Sequence, residues 1–121
     1  ALELARELNK HPLVDKVYHP AIETSENHHI WKRDFTGSTG LFSFSLKKFY
    51  PQTKIKKMFS KISIFKLGYS WGGYDSLITF PPLSMRKYKN LFKGNLIRVY
   101  CGLEDSSDQI KDIISSLKAL K

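Results

Sequence analysis

The residue types here that could do chemistry are one arginine in an apolar run, one glycine-flanked tryptophan, four histidines and one cysteine. Arg98 lies within Leu96-Ile97-Arg98-Val99-Tyr100-Cys101, whose alternation puts it on one strand face with Leu96 and Tyr100. A guanidinium in such a run is costly to bury without an anion. Two partners suit it. One is an internal acid, with Glu104 and Asp105 near in sequence; the other is a ligand carboxylate, which the planar fork of donors matches in pairs. The pattern alone leaves both open. The second feature is the stretch Leu67-Gly68-Tyr69-Ser70-Trp71-Gly72-Gly73-Tyr74-Asp75-Ser76-Leu77, which joins two apolar runs. Its glycines let the backbone turn tightly or lie against another surface, so it reads as a ligand loop. Trp71 is then either a packed corner of the core or a wall of a pocket.

The other reactive types carry less. His11, His19, His28 and His29 have no acidic or cysteine partner at a metal-ligand spacing, so no metal site is expected. Cys101, alone, makes no internal disulfide, suits a reducing cytoplasm, and reads as a small buried strand residue with no activating base beside it. The net charge of +9 raises the prospect of nucleic acid, because Lys47, Lys48, Lys54, Lys56, Lys57, Lys61 and the run Arg86-Lys87-Tyr88-Lys89 interleave cations with aromatics. Those cations are spread over several expected elements and accompany no nucleic-acid motif. A solvated lysine-rich face is therefore expected, whose field would draw anionic ligands toward a pocket. No apolar run approaches a membrane span and no signal-peptide pattern is present, so neither a membrane nor a nucleic-acid partner is expected.

These residues need a frame. With 121 residues, one domain spanning 1–121 is expected, with a modest core. Ala1, Leu4, Ala5 and Leu8 fall at helical spacing until His11-Pro12 stops them, and Val14 to Tyr18 reads as a strand. Ala21 to His29 is polar and aperiodic, as in a surface loop. Phe42, Phe44 and Leu46 alternate with serines, which predicts a central strand with one buried face. Pro51 opens a helix with Ile55, Met58, Phe59 and Ile62 inward and Lys54, Lys56, Lys57 and Lys61 in water. Ile62 to Leu67, Leu77 to Phe80 and Leu96 to Cys101 follow as strands, with Pro81-Pro82 interrupting before a basic, polar segment. Ser106 and Gln109 stand at capping-box spacing, and Asp105, Asp108, Lys118 and Lys121 suit a helix dipole. That helix would bury Ile110, Ile113, Ile114, Leu117 and Leu120. The fold class is α+β: a small, mostly antiparallel sheet with helices packed on one face.

Three blocks also carry a family resemblance. Ser70-Trp71-Gly72-Gly73-Tyr74-Asp75-Ser76-Leu77, Leu96-Ile97-Arg98-Val99-Tyr100-Cys101-Gly102-Leu103-Glu104-Asp105, and Trp31-Lys32-Arg33-Asp34-Phe35-Thr36-Gly37-Ser38 with Gly40-Leu41-Phe42-Ser43-Phe44 resemble the C-terminal part of the cystathionine beta-lyases. These belong to the pyridoxal-phosphate enzymes of cysteine and methionine metabolism, and the likeness covers nearly the whole chain. Related lyases and synthases carry leucine where Trp71 stands, which favours the beta-lyase branch over cystathionine gamma-synthase or gamma-lyase. Asp75, where glutamate is more usual, and Cys101, where an apolar strand residue or isoleucine is usual, are mild departures.

The resemblance implies the C-terminal small domain of a fold-type I enzyme that uses pyridoxal 5'-phosphate. It implies Arg98 as the fork for the substrate's α-carboxylate, with Ser70 and Trp71 lining the subsite and Tyr69 beside them. In that family the cofactor holds the charge left when the α-proton departs, and sulfur leaves the β-carbon; cystathionine would give homocysteine, pyruvate and ammonia. The Schiff-base lysine and the other cofactor-binding groups would lie in a larger domain missing from this sequence, and no lysine here sits in the family's lysine motif. The chain, which starts within a helical pattern and without methionine, is expected to be a C-terminal piece that is inactive alone. The parent would be a cytoplasmic homotetramer acting on a small amino-acid thioether.

Overall fold

A computed structural model describes residues 1–85, 87 and 91–121. The basic run at 86–89 therefore lies largely outside the described residues. Among the described residues four α-helices and five strands follow in the order α1 (Leu2–Lys10), β1 (Val14–Tyr18), α2 (His28–Asp34), β2 (Leu41–Leu46), α3 (Gln52–Phe59), β3 (Lys66–Leu67), β4 (Leu77–Thr79), β5 (Leu96–Tyr100) and α4 (Ser106–Leu117). The strands make one sheet in the order β1-β2-β5-β4-β3. Every neighbouring pair is antiparallel except β3 with β4. The α+β class and the mostly antiparallel sheet stand as expected. β2 is a central strand as expected, paired with β1 on one side and on the other with β5, which takes the middle position.

One face of the sheet makes the core. Val17, Phe44 and Ile97 align across three strands, and Phe42, Val99 and Ile78 align in the next row; all are buried. Leu4, Ala5 and Leu8 of α1, Ile55 and Met58 of α3, and Ile113 and Leu117 of α4 pack on that face. The opposite face carries Tyr18, Ser43, Arg98 and Thr79 in a single row across β1, β2, β5 and β4. Arg98 is thus at the centre of the sheet on the side away from the core.

Three local departures from the sequence pattern have identifiable causes. First, Ile62 to Phe65 is not strand. Asp112 of α4 accepts the amides of Ser63, Ile64 and Phe65 at 2.8, 2.9 and 3.1 Å and the Ser63 hydroxyl at 3.0 Å, so those donors serve a carboxylate instead of a ladder. Only Lys66 and Leu67 remain to pair with β4. Second, α2 forms where a loop running to His29 is expected. It buries no residue, so it has no apolar stripe for a sequence to display. Third, the cap of α4 is Asp105, not Ser106: its carboxylate accepts the amides of Ser107 and Asp108 at 2.8 and 3.4 Å. Gln109 is thereby free of a capping role and points inward, as Asp112 and Ser116 also do.

Asp112→Ala leaves three main-chain amides without their acceptor and is expected to destabilise the fold by about 3 kcal/mol, the range for orphaned partners of a charged group. A urea midpoint equal to that of the parent protein would show that water replaces the carboxylate without cost.

His19 is buried, with Nδ1 accepting the Ala21 amide at 3.2 Å and its ring edge-on to Phe42. Burial holds it below the usual imidazole value, so it is a neutral core residue. Cys101 is buried too, and burial pushes its thiol up. Among the described residues no group of histidine, cysteine and acidic side chains has the arrangement of a metal site. No helix among them is long and apolar enough to cross a membrane.

Candidate functional site

β3 and β4 run the same way, so the segment between them cannot be a hairpin; residues 68–76 must arch back over the sheet before β4 begins. Gly72 permits this, with φ of 85° in the left-handed region that other residues avoid. The arch exposes its aromatics: Tyr69 at 68%, Trp71 at 66% and Tyr74 at 74% of their surface. Trp71 is therefore not a packed corner. It stands open, as the wall of a pocket completed by something else would.

β5 holds the arch through successive outward-facing positions. The Arg98 Nη2 donates to the Tyr69 carbonyl and, at 3.3 Å, to the Ser70 carbonyl. The Tyr100 hydroxyl donates to the Gly73 carbonyl at 2.9 Å. The Gly102 amide donates to the Ser76 hydroxyl oxygen at 2.8 Å, and the Leu103 amide to the Tyr74 carbonyl at 2.9 Å. A Cβ at position 102 would fall on the Tyr74 carbonyl oxygen and lie 2.6 Å from the Asp75 carbonyl carbon, so only glycine permits this approach.

The far end of the arch is pinned by a buried polar knot. Ser76 is fully buried; its hydroxyl donates to Glu104 at 2.6 Å and accepts from Gln109 at 3.0 Å, while its amide donates to Glu104 at 2.9 Å. Partial burial by itself would raise the Glu104 carboxyl, but the Ser76 hydroxyl and amide, with Gln109, hold it below its usual value. Glu104 is thus a carboxylate engaged with the arch, and Asp105 is engaged with α4. Neither is the partner of Arg98. Among the described residues no carboxylate lies within ion-pair distance of Arg98, while Lys66 pairs with Asp75 at 2.7 Å.

Of the four residues expected at the site, Arg98, Tyr69 and Ser70 are joined directly, and Trp71 follows them on the same arch. The junction is through main-chain carbonyls, and among the described residues no hydrogen bond links the Ser70 hydroxyl or the Trp71 indole to the guanidinium. Tyr69 also borders a cavity of about 330 Å³ with Phe59, Leu67 and Phe80. Both Arg98 bonds use Nη2, which fixes the guanidinium plane and leaves Nε and Nη1 without a protein acceptor among the described residues. Nε and Nη1 point to opposite sides of the guanidinium, so each can donate singly to an anion; a paired grip on a carboxylate, like that of Arg33 on Asp34 through Nε and Nη2, would need Nη2 to release a carbonyl.

Among the described residues none has by itself the setting of a Schiff-base lysine. A lysine that forms a Schiff base is made reactive by burial, and every described lysine is exposed.

Sequence reasoning missed Tyr100, Gly102, Ser76 and Gln109. Tyr100 alone had a usable signal, its position two residues beyond Arg98 on the same strand face.

Residues 1–118 match the family model for Cys/Met metabolism PLP-dependent enzymes. The chain is 44% identical over 118 residues to cystathionine beta-lyase of Escherichia coli, covering 93% of this chain and 30% of that protein. It is 38% identical over 125 residues to an L-alanine/L-glutamate racemase of Wolbachia pipientis, covering 99% and 30%, and 34% identical over 128 residues to cystathionine gamma-lyase of Sus scrofa, covering 98% and 30%. It thus spans about 30% of the length of these curated relatives. A match running through α1, the arch, β5 and α4 alike leaves no element outside it, and the chain belongs to the Cys/Met metabolism PLP-dependent enzyme family.

Proposed function

We propose that this chain is the substrate-carboxylate domain of a pyridoxal-phosphate-dependent carbon–sulfur lyase that cleaves cystathionine to homocysteine, pyruvate and ammonia. The observation that carries the proposal is Arg98: a half-buried guanidinium on the sheet face away from the core, paired with no acid among the described residues and bonded to the arch that bears Trp71. The beta-lyase reading is preferred over gamma-lyase because Trp71 stands where the resemblance gives other branches leucine, and because the identity is higher to the beta-lyase.

In this reading Arg98 takes the α-carboxylate, and Ser70, Trp71 and Tyr69 border it. Holding that end of the amino acid fixes the direction of the Cα–H bond, so the arginine contributes to rate as well as affinity. Trp71 covers the carboxylate from one side and excludes water, which strengthens the ion pair. The cofactor and its lysine belong to the part of the enzyme outside this chain.

The rival reading, a nucleic-acid module, draws on the lysines. Those described are spread over several elements, and Lys10, Lys16, Lys66 and Lys93 each pair with an acid. A solvated charged surface accounts for them.

Two arms test the proposal. The intact enzyme is expected to release pyruvate from cystathionine, and this chain alone to develop no cofactor absorption band and no turnover. An intact enzyme that leaves cystathionine untouched, or a chain that retains activity alone, contradicts it. Binding of RNA or DNA that weakens with salt at physiological ionic strength would favour the rival.

A further inference from the structure

We propose that Tyr100 is a positioning residue for the carboxylate site, a latch that holds the Trp71 turn closed against β5; the inference rests on the reading of Arg98 and Trp71 given above. The arch has three kinds of restraint. At its start the Tyr69 and Ser70 carbonyls sit on Arg98, and at its end Tyr74 and Ser76 are bound by the 102–104 turn. Between them lie Trp71, Gly72 and Gly73, which are exposed and contain the two residues with the greatest backbone freedom. A Cβ at Gly72 or Gly73 would meet nothing within 4 Å, so packing does not hold this tip. Among the described residues, the one hydrogen bond from a side chain to the tip is from the Tyr100 hydroxyl to the Gly73 carbonyl.

The phenol is well placed for this. Tyr100 stands on the same face as Arg98, two residues along β5, and opposite Leu41 on one side and Leu77 on the other. Its ring edge lies 3.1 Å from where a Cβ of Gly40 would stand, so the start of β2 fixes its direction. Arg98 and Tyr100, both on the outward face of β5, thus clamp the two halves of the turn that carries Ser70 and Trp71. Without the Tyr100 hydroxyl the turn retains its Arg98 contact but gains freedom at Gly72 and Gly73. The ordering of Trp71 over a bound carboxylate must then be supplied at binding, which weakens affinity.

The test is Tyr100→Phe in the intact enzyme, which removes one oxygen and keeps the ring, beside Arg98→Ala as a reference. KM for cystathionine is expected to rise about tenfold with kcat within about twofold, a split that marks lost binding. Amide exchange in 71–75 should quicken while the thermal midpoint stays close to that of the parent. If Arg98→Ala raises KM and Tyr100→Phe does not, the latch is wrong and the carboxylate site stands. If neither variant moves KM, the site itself is wrong and the latch falls with it. If kcat, KM and the thermal midpoint all deteriorate in Tyr100→Phe, the residue is a packing residue and the proposal is overturned.

Discussion

Arg98→Ala in the intact enzyme is expected to lower kcat/KM for cystathionine by about a hundredfold while leaving the cofactor absorbance unchanged. The size follows from losing hydrogen bonds to a charged group, roughly 3 kcal/mol, and each 1.4 kcal/mol is about a factor of ten. The spectrum should survive because the guanidinium is bonded to the Tyr69 and Ser70 carbonyls and to no group suited to the cofactor. Arg98→Lys should recover only part of the loss, since an ammonium keeps the charge but not the paired donors. An unchanged kcat/KM in Arg98→Ala would remove this residue from the site. Loss of cofactor absorbance would instead assign it a structural role across the domain boundary.

Gly102→Ala is expected to be the most damaging single change to the arch. The added carbon would overlap the Tyr74 carbonyl oxygen and stand 2.7 Å from the Ser76 amide nitrogen, and both neighbours are main chain that cannot turn aside. Forcing them apart costs about 3 kcal/mol, the upper part of the usual range for overpacking. It also lengthens the 2.8 Å bond from the Gly102 amide to Ser76 and disturbs the knot that Ser76 makes with Glu104 and Gln109. The urea midpoint should fall accordingly, and the KM for substrate should rise because the arch no longer reaches Arg98 in register. A variant with the parent's midpoint would mean that the 102–104 turn moves freely relative to the arch.

What the sequence displayed and what it hid divide along the range of the interactions involved. β1, β2, β5, α1, α3 and α4 were legible because each carries its own apolar period, read within a few residues. The helix α2 was not, since a helix that buries nothing writes no period. The segment 62–65 was misleading for a different reason: its apolar residues suit a strand, but Asp112, far away in α4, takes its amides. The parallel pairing of β3 with β4 is a property of the sheet, and it is that pairing which lifts residues 68–76 into an arch. Arg98 was visible as an anomaly in an apolar strand. Its two possible partners could not be separated until Glu104 was found on Ser76 and Asp105 on the start of α4. Trp71 was likewise ambiguous, and exposure of about two-thirds of its surface decided against the core.

In the proposed function Arg98 and the Trp71 turn together receive the carboxylate of an amino-acid substrate. The most direct measurement is a crystal structure of the intact enzyme with a thioether amino acid bound. Both carboxylate oxygens are expected about 3 Å from the Arg98 guanidinium, with the Trp71 indole alongside. A carboxylate seated elsewhere, with Arg98 closed onto an acidic side chain from the remainder of the enzyme, would contradict it.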